Sequence, residues 1–236
     1  QTRRVLSRTD VLHCDCHRDA RLARTLGFAD EKPSPVLPGA GGVQRNVFYP
    51  GIADKSLELK YKIAPGSRVI INPRGMRIYV LNEAFFMGIV KVARVYPNLV
   101  VLCTGMAGNP IAEGWVNRFG ISQHVKLLPH VDRSHMAELF RLAEVAVSPS
   151  IHDGTPNTLL ESMACGCFPI AGDIESIREW IVPGENGLLC APDNPEALAE
   201  AMMKALRDPE LRESAKSINL HRIAELADHS QVMRKA

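Results

Sequence analysis

No apolar run in the 236 residues approaches the roughly 20 that a membrane-crossing helix needs, so a helical membrane span is excluded. The opening Gln-Thr-Arg-Arg has no apolar leader core. It also has no initiating methionine, and the sequence is expected to be cut from a longer protein. Charge of one sign is scarcely in excess: 28 Lys and Arg face 26 Asp and Glu, a net +2. A surface that tracks a phosphate backbone needs a larger cationic surplus, which argues against nucleic acid as the partner. A local basic cluster can still hold one small phosphate compound. Six cysteines are too few and too scattered for a disulfide scaffold. Reduced thiols in a cytoplasmic setting are expected. Internal repeats and low-complexity segments are lacking. What is present is ordinary globular material, 46% hydrophobic and 23% charged. At about 100–200 residues per domain, the length allows one large or two small domains.

Residues 1–50 differ from the rest. Polar and charged side chains crowd 1–24, with helical spacing over 19–26. Residues 33–42 read Pro-Ser-Pro-Val-Leu-Pro-Gly-Ala-Gly-Gly, a loop or linker. From residue 67 the pattern is regular. Apolar runs at 69–71, 99–103, 125–128, 145–147, 168–171 and 187–190 read as buried strands. Helical periodicity falls between them, at 82–96 (Asn82 as N-cap), 111–119, 134–142 (Ser134 as cap), 158–165 and 176–181. Asp193 or Asn194 caps a helix through 206, and Pro209 begins another through 227, read as amphipathic. Nearly all-apolar strands alternating with helices predict an α/β fold: a Rossmann-like, doubly wound parallel sheet covered on both faces. The division expected is 1–50 as the end of a preceding domain with its linker, 51–208 as the Rossmann-like unit, and 209–236 as a C-terminal helical segment.

In such sheets the ligand lies beyond the carboxyl ends of the strands. Three loops there are chemically unusual. Asn72-Pro-Arg74-Gly-Met-Arg77 places two arginines and a glycine where phosphate is usually met, because guanidinium forks onto phosphate oxygens. Taken alone, a solvated basic turn explains it better, and no Gly-x-Gly-x-x-Gly fingerprint is present. Pro129-His130-Val131 could read a base edge through its backbone. The most informative loop runs Ser148-Pro-Ser-Ile-His-Asp153-Gly154-Thr155-Pro156-Asn157-Thr158-Leu-Leu-Glu161. A helix starting near Pro156 offers free N–H groups and a positive dipole end, an anion site. Two carboxylates eight residues apart can accept hydrogen bonds from sugar hydroxyls on either side of it. His13-Cys-Asp-Cys-His17 is metal-shaped, but Cys-x-Cys is too tight for the usual zinc knuckle and no second ligand pair follows. Metal binding is not expected there.

Residues 148–189 resemble the C-terminal domain of the GT-B-fold retaining glycosyltransferases of group 1 (family 4). That family carries Glu, seven residues, Glu, then Ala-Met-Ala-x-Gly, a Pro-containing strand and Gly-Glu-Asn-Gly-Leu-Leu. Here Asp153 and Glu161 bracket seven residues. Ser-Met-Ala-Cys-Gly, Phe168-Pro-Ile and Gly184-Glu-Asn-Gly-Leu-Leu189 follow. Pro38-Gly-Ala-Gly-Gly-Val43 with Phe48-Tyr-Pro50 is similar to the family's interdomain hinge.

The resemblance implies one half of a GT-B fold that binds a nucleotide sugar, a UDP-hexose in preference to a GDP-hexose. It implies Glu161 on the ribose hydroxyls, Asp153 on the donor sugar beside the anomeric centre, and Arg74 on the diphosphate. Asp153 and Arg74 carry the catalytic roles. The backbone stretch Gly154, Thr155, Pro156, Asn157 and Thr158 faces sugar and β-phosphate, through its N–H groups at all but Pro156, and His130 and Val131 meet the base. Asp153 is one methylene shorter than the family's Glu. The family's lysine position falls near Tyr79, and Arg77 stands in for it. No metal or other cofactor is implied. The acceptor, a glycan or glycolipid, would be bound by an N-terminal domain on the order of 150 residues long, placed before residue 1. Donor binding without turnover is therefore expected of this chain, with peripheral membrane association of the longer enzyme. Within the fold, an epimerase or a phosphorylase-like enzyme is the rival, and no pyridoxal-lysine loop is found for the latter. The alternative of another class is a non-catalytic nucleotide-binding or interaction module.

Overall fold

Alternation of side chains across each strand decides the layers. A computed structural model describes residues 1–235. The chain begins with α1 (Thr2–Leu6) and α2 (His17–Thr25), passes a tight turn at Gly39–Gly41 and α3 (Ser56–Lys60), and enters the sheet at β1 (Arg68–Asn72). There follow α4 (Asn82–Val95), β2 (Leu99–Cys103), α5 (Pro110–Arg118), β3 (Val125–Leu127), α6 (Arg133–Leu142) and β4 (Val145–Ser148). Then come α7 (Asn157–Ala164), β5 (Phe168–Gly172), α8 (Glu175–Arg178), β6 (Leu188–Cys190) and α9 (Pro195–Arg207). Two helices close the described chain, α10 (Pro209–Leu226) and α11 (His229–Lys235).

The six strands pair in the order β3-β2-β1-β4-β5-β6, every pair parallel. The expected doubly wound sheet is therefore present. Ile71, Leu102 and Ala146 face one layer, where Phe140 and Leu160 pack with Val43 and Phe48 from the segment before α3. Ile70, Val101, Val145 and Val147 face the other, built from Phe85, Phe86 and Ile89 of α4 with Leu198 and Met202 of α9. Each such large side chain, fully buried, contributes about 1.5–3 kcal/mol of transfer free energy. Strand order reverses between β1 and β4. The crevice at their carboxyl ends is the topological switch point, where this architecture takes ligands.

Three helices share one start: a side-chain cap followed by proline. Asn109 accepts from Ile111 N at 3.0 Å, Asn194 from Ala197 N at 3.1 Å, and Asp208 from Leu211 N at 2.9 Å. Two caps differ from the sequence expectation. Asp132, not Ser134, caps α6, its carboxylate accepting from His135 N at 2.8 Å. Asn82 is the first residue of α4 rather than its cap, and its buried amide serves the β1–α4 loop instead. α10 also departs from simple amphipathicity. Ile218 and Leu226 face solvent while Asn219 is buried.

Buried Asn186, inside the Gly-Glu-Asn-Gly turn, explains that placement. Its amide donates to Asn219 Oδ1 at 2.8 Å and to Trp180 O at 2.9 Å, and Asn219 donates back to Asn186 O at 2.9 Å. The pair pins α10 to the sheet edge. Farther on, Val43 N donates to Ala227 O at 2.7 Å and His229 N donates to Val43 O at 3.0 Å, so the end of the chain is paired with the hinge-like segment. All six cysteines are buried free thiols.

Candidate functional site

The β1–α4 loop is shaped by two buried asparagines. Asn72 Oδ1 accepts from Arg74 N at 3.0 Å, Asn72 Nδ2 donates to Asn82 Oδ1 at 2.9 Å, and Asn82 Nδ2 donates to Gly75 O at 3.0 Å. This frame fixes the turn from which Arg74 projects. The Arg74 side chain is only 5% exposed. Its Nη2 donates to Asp153 Oδ2 at 2.5 Å and its Nη1 to Thr158 Oγ1 at 3.0 Å. Its Nε is buried and has no hydrogen-bond partner. Burial lowers the Arg74 pKa and the Asp153 charge opposes that. Burial likewise raises the Asp153 pKa, against the pull of Arg74.

Arg77 lies beside this pair and is exposed. Its Nε donates to Arg74 O at 3.2 Å and its Nη1 to Tyr79 Oη at 2.9 Å. The Tyr79 ring meets the His152 ring edge-on, with centroids 6.4 Å apart. Ile151 N donates to Tyr79 O, which lays the first loop over the β4–α7 loop.

The β4–α7 loop ends at Pro156, in the N-cap position of α7, and no side chain caps that helix. Its first N–H groups are thus left for another acceptor. Ser176 Oγ donates to Asp153 O at 2.7 Å. Trp180 Nε1 donates to Thr155 Oγ1 at 3.1 Å. Glu161, on α7, has a side chain 13% exposed, and Arg133 Nη2 stands 3.5 Å from its Oε1. Burial raises the Glu161 pKa, with Arg133 pulling the other way.

The structure thus brings Arg74, Arg77, Asp153 and Thr158 into one cluster, with Gly154, Thr155, Pro156 and Asn157 leading into α7. His130 is set apart, on the loop after β3, its ring lying against Gly105. Val131 beside it is half-buried against the core. The sequence reading missed Asn72, Asn82, Thr158's side-chain role, Ser176 and Arg133. Asn72 and Asn82 carry a faint signal, since each is polar at the edge of an apolar run. The metal-shaped string separates: Asp15, Cys16 and Asp19 gather, without either histidine. Burial pushes the Cys16 thiol up to about 11.

A family model described as glycosyl transferases group 1 matches residues 90–220. The chain belongs to that family. It is 28% identical over 225 residues to a D-inositol 3-phosphate glycosyltransferase of Jonesia denitrificans, covering 90% of this chain and 52% of the relative. The chain spans about half the length of the curated relatives it matches. Among solved structures, Anabaena Alr3699/HepE in complex with UDP and glucose superposes with a TM-score of 0.84 at 15% identity, covering 99% of this chain and 65% of that one. Sucrose-phosphate synthase of Thermosynechococcus elongatus gives 0.82 at 20%, covering 99% and 58%. The fold is that of one half of a GT-B glycosyltransferase.

Proposed function

We propose that this glycosyltransferase domain binds a nucleoside diphosphate hexose, with UDP as the favoured nucleotide, and serves retaining transfer of the hexose to a glycan or lipid-linked acceptor. The observation that carries the reading is the buried Arg74 guanidinium. It stands at the switch point with its Nε unpartnered, next to a helix whose N-terminus has no side-chain cap. A buried, incompletely satisfied cation beside free N–H groups is built for an anion. UDP is favoured because HepE, of the same fold, was captured with UDP and glucose.

In this reading Arg74, Arg77 and the N–H groups at the start of α7 take the diphosphate, and Glu161 accepts from the ribose hydroxyls. Asp153 and the Gly154–Thr155 turn meet the hexose, while His130 and Val131 flank the base. When the bond from anomeric carbon to β-phosphate oxygen breaks, negative charge develops on that oxygen. The uncapped N–H groups at the start of α7 stand ready for that charge, and the Arg74 guanidinium, held by Asp153 and Thr158, adds its field. Arg74 and Asp153 are the catalytic residues, and the cationic work falls to the arginines and the helix rather than to a metal. Residues 51–208 form the donor-binding unit, 1–50 the end of an acceptor-binding domain with its hinge, and 209–236 a C-terminal brace. No described helix is long and apolar enough to cross a membrane. A lipid-linked acceptor would be met peripherally, at the cytoplasmic face.

Calorimetric titration with UDP, GDP and ADP, without added metal, tests the reading. Saturable binding of UDP, lost in Glu161→Ala, is the expected result. Absence of saturable binding by all three nucleotides would overturn it. Binding without hexose transfer in the complete enzyme would leave a nucleotide-binding module.

A further inference from the structure

Asp15 reaches the sugar end of this site from 140 positions away in sequence. It belongs to the segment just before α2, which is itself docked on the donor-binding unit. Glu179 accepts from His17 N at 2.8 Å and from Arg18 N at 2.9 Å, capping α2 from across the junction. Arg21 pairs with Glu175 beside it. These contacts hold the Asp15 backbone in place.

Asp15 then grips the β4–α7 turn twice. Its Oδ2 accepts from Thr155 N at 3.3 Å, and its backbone oxygen accepts from Thr155 Oγ1. Thr155 is buried and its hydroxyl also accepts from Trp180 Nε1, so both partners of the hydroxyl are fixed. The Asp15 carboxylate lies flat on Gly154. A Cβ at residue 154 would stand 2.6 Å from Asp15 Cγ. Gly154 does not adopt a left-handed conformation. A side chain there would push the Asp15 carboxylate off the turn, while the backbone itself asks for no glycine.

We infer that Asp15 is a positioning residue for the donor-sugar end of the site. It fixes the Gly154–Thr155 turn, and through it the preceding residue Asp153, from a segment outside the donor-binding unit. The inference rests on the nucleotide-sugar reading for its consequence, since the turn it holds is the one assigned to the hexose. Arg74 is also held by Asn72 and Thr158, its partner Asp153 by Ser176, and Glu161 by Arg133, none of them hydrogen-bonded to Asp15. Loss of Asp15 therefore affects recognition of the hexose and spares the nucleotide.

Two measurements on the chain test this. Hydrogen exchange of the backbone amides of Gly154, Thr155 and Asn157 is read first, without ligand. Asp15→Ala should speed it about tenfold, the scale of one lost hydrogen bond to a charged group, and Asp15→Asn, which keeps an oxygen acceptor, should restore most of the protection. Unchanged exchange in Asp15→Ala overturns the inference, whether or not nucleotide binds. Calorimetry with UDP and UDP-glucose is read second. Asp15→Ala should weaken UDP-glucose about tenfold and UDP less than twofold, with Asp15→Asn near wild type. Equal losses for both ligands, or an Asn variant as weak as the Ala variant, overturn it too. Wild-type protein that binds neither ligand sinks the nucleotide-sugar reading instead, and the exchange result still decides the role of Asp15.

Discussion

Arg74 holds Asp153 at 2.5 Å across the switch point, so the site's deepest cation and its leading carboxylate neutralise each other before any ligand arrives. The two are 5% and 14% exposed. Breaking such a pair strands one charge away from water. Arg74→Met should therefore destabilise the fold by about 3–5 kcal/mol. Asp153→Asn in the same chain should recover part of the loss. With Arg74 gone, the raised pKa of Asp153 rises further, so the deficit is largest at alkaline pH and shrinks as pH falls and the carboxyl protonates. Urea denaturation at pH 5 and pH 8 reads this. A pH-independent deficit would show that the pair is not coupled in the way its geometry requires.

Glu161 offers a second pH signature. Burial raises its pKa, so its ionised form costs the ligand-free fold stability at neutral pH. A group raised in the folded state adds stability at low pH that is lost as pH rises through the folded value. Glu161→Gln should accordingly raise Tm at pH 7 by about 2–4 °C, what ~1 kcal/mol makes in a chain of this length. The gain should fade below the ordinary glutamate range. The same variant should bind UDP more weakly. A variant that is less stable at pH 7 would contradict the sign.

Arg77 is exposed, held by Tyr79 Oη and Arg74 O. An exposed cation at a phosphate contributes little, so Arg77→Ala should weaken UDP binding about two- to fivefold. High salt should erase the difference, because solvent-exposed charges are screened. Tyr79→Phe should show a smaller effect in the same direction. An Arg77→Ala loss that persists at high salt would place the side chain in a buried contact instead.

The Asn186–Asn219 pair predicts a local failure. Asn219→Ala removes a donor and an acceptor from a buried partner, which costs about 1–3 kcal/mol. The urea midpoint should fall with the slope unchanged. If stability held, α10 would have to be fastened elsewhere.

Much of this fold was legible because its strands are short and almost wholly apolar. Leu99–Cys103 could be read to the residue, since both its faces are buried and no alternation blurs it. The start of α7 was legible to within a residue from Pro156, since a proline there gives up no intrahelical hydrogen bond. Polar residues in the interior were not legible. Asn82 has the chemistry of a cap but stands one residue past that position, and only the folded loop shows its amide spent on Gly75. α1 and α3, five residues each, are too short to show a period. At the site, the spacing of Asp153 and Glu161 was visible because both lie on one local stretch. Asp15 was not, because its partner is 140 residues away and nothing in a linear sequence marks that meeting.

The pairing of Val43 with Ala227 and His229 has a mechanical consequence. Residues 38–43 resemble a hinge in sequence, yet Val43 is hydrogen-bonded to the residues that follow α10. Torque applied there would be shared with α10 and α11, and α10 is bolted to the sheet edge through Asn219. Were this segment to turn, its strain would pass through Ala227 and His229 into α10, and through Asn219 to the Gly-Glu-Asn-Gly turn at the far edge of the sheet.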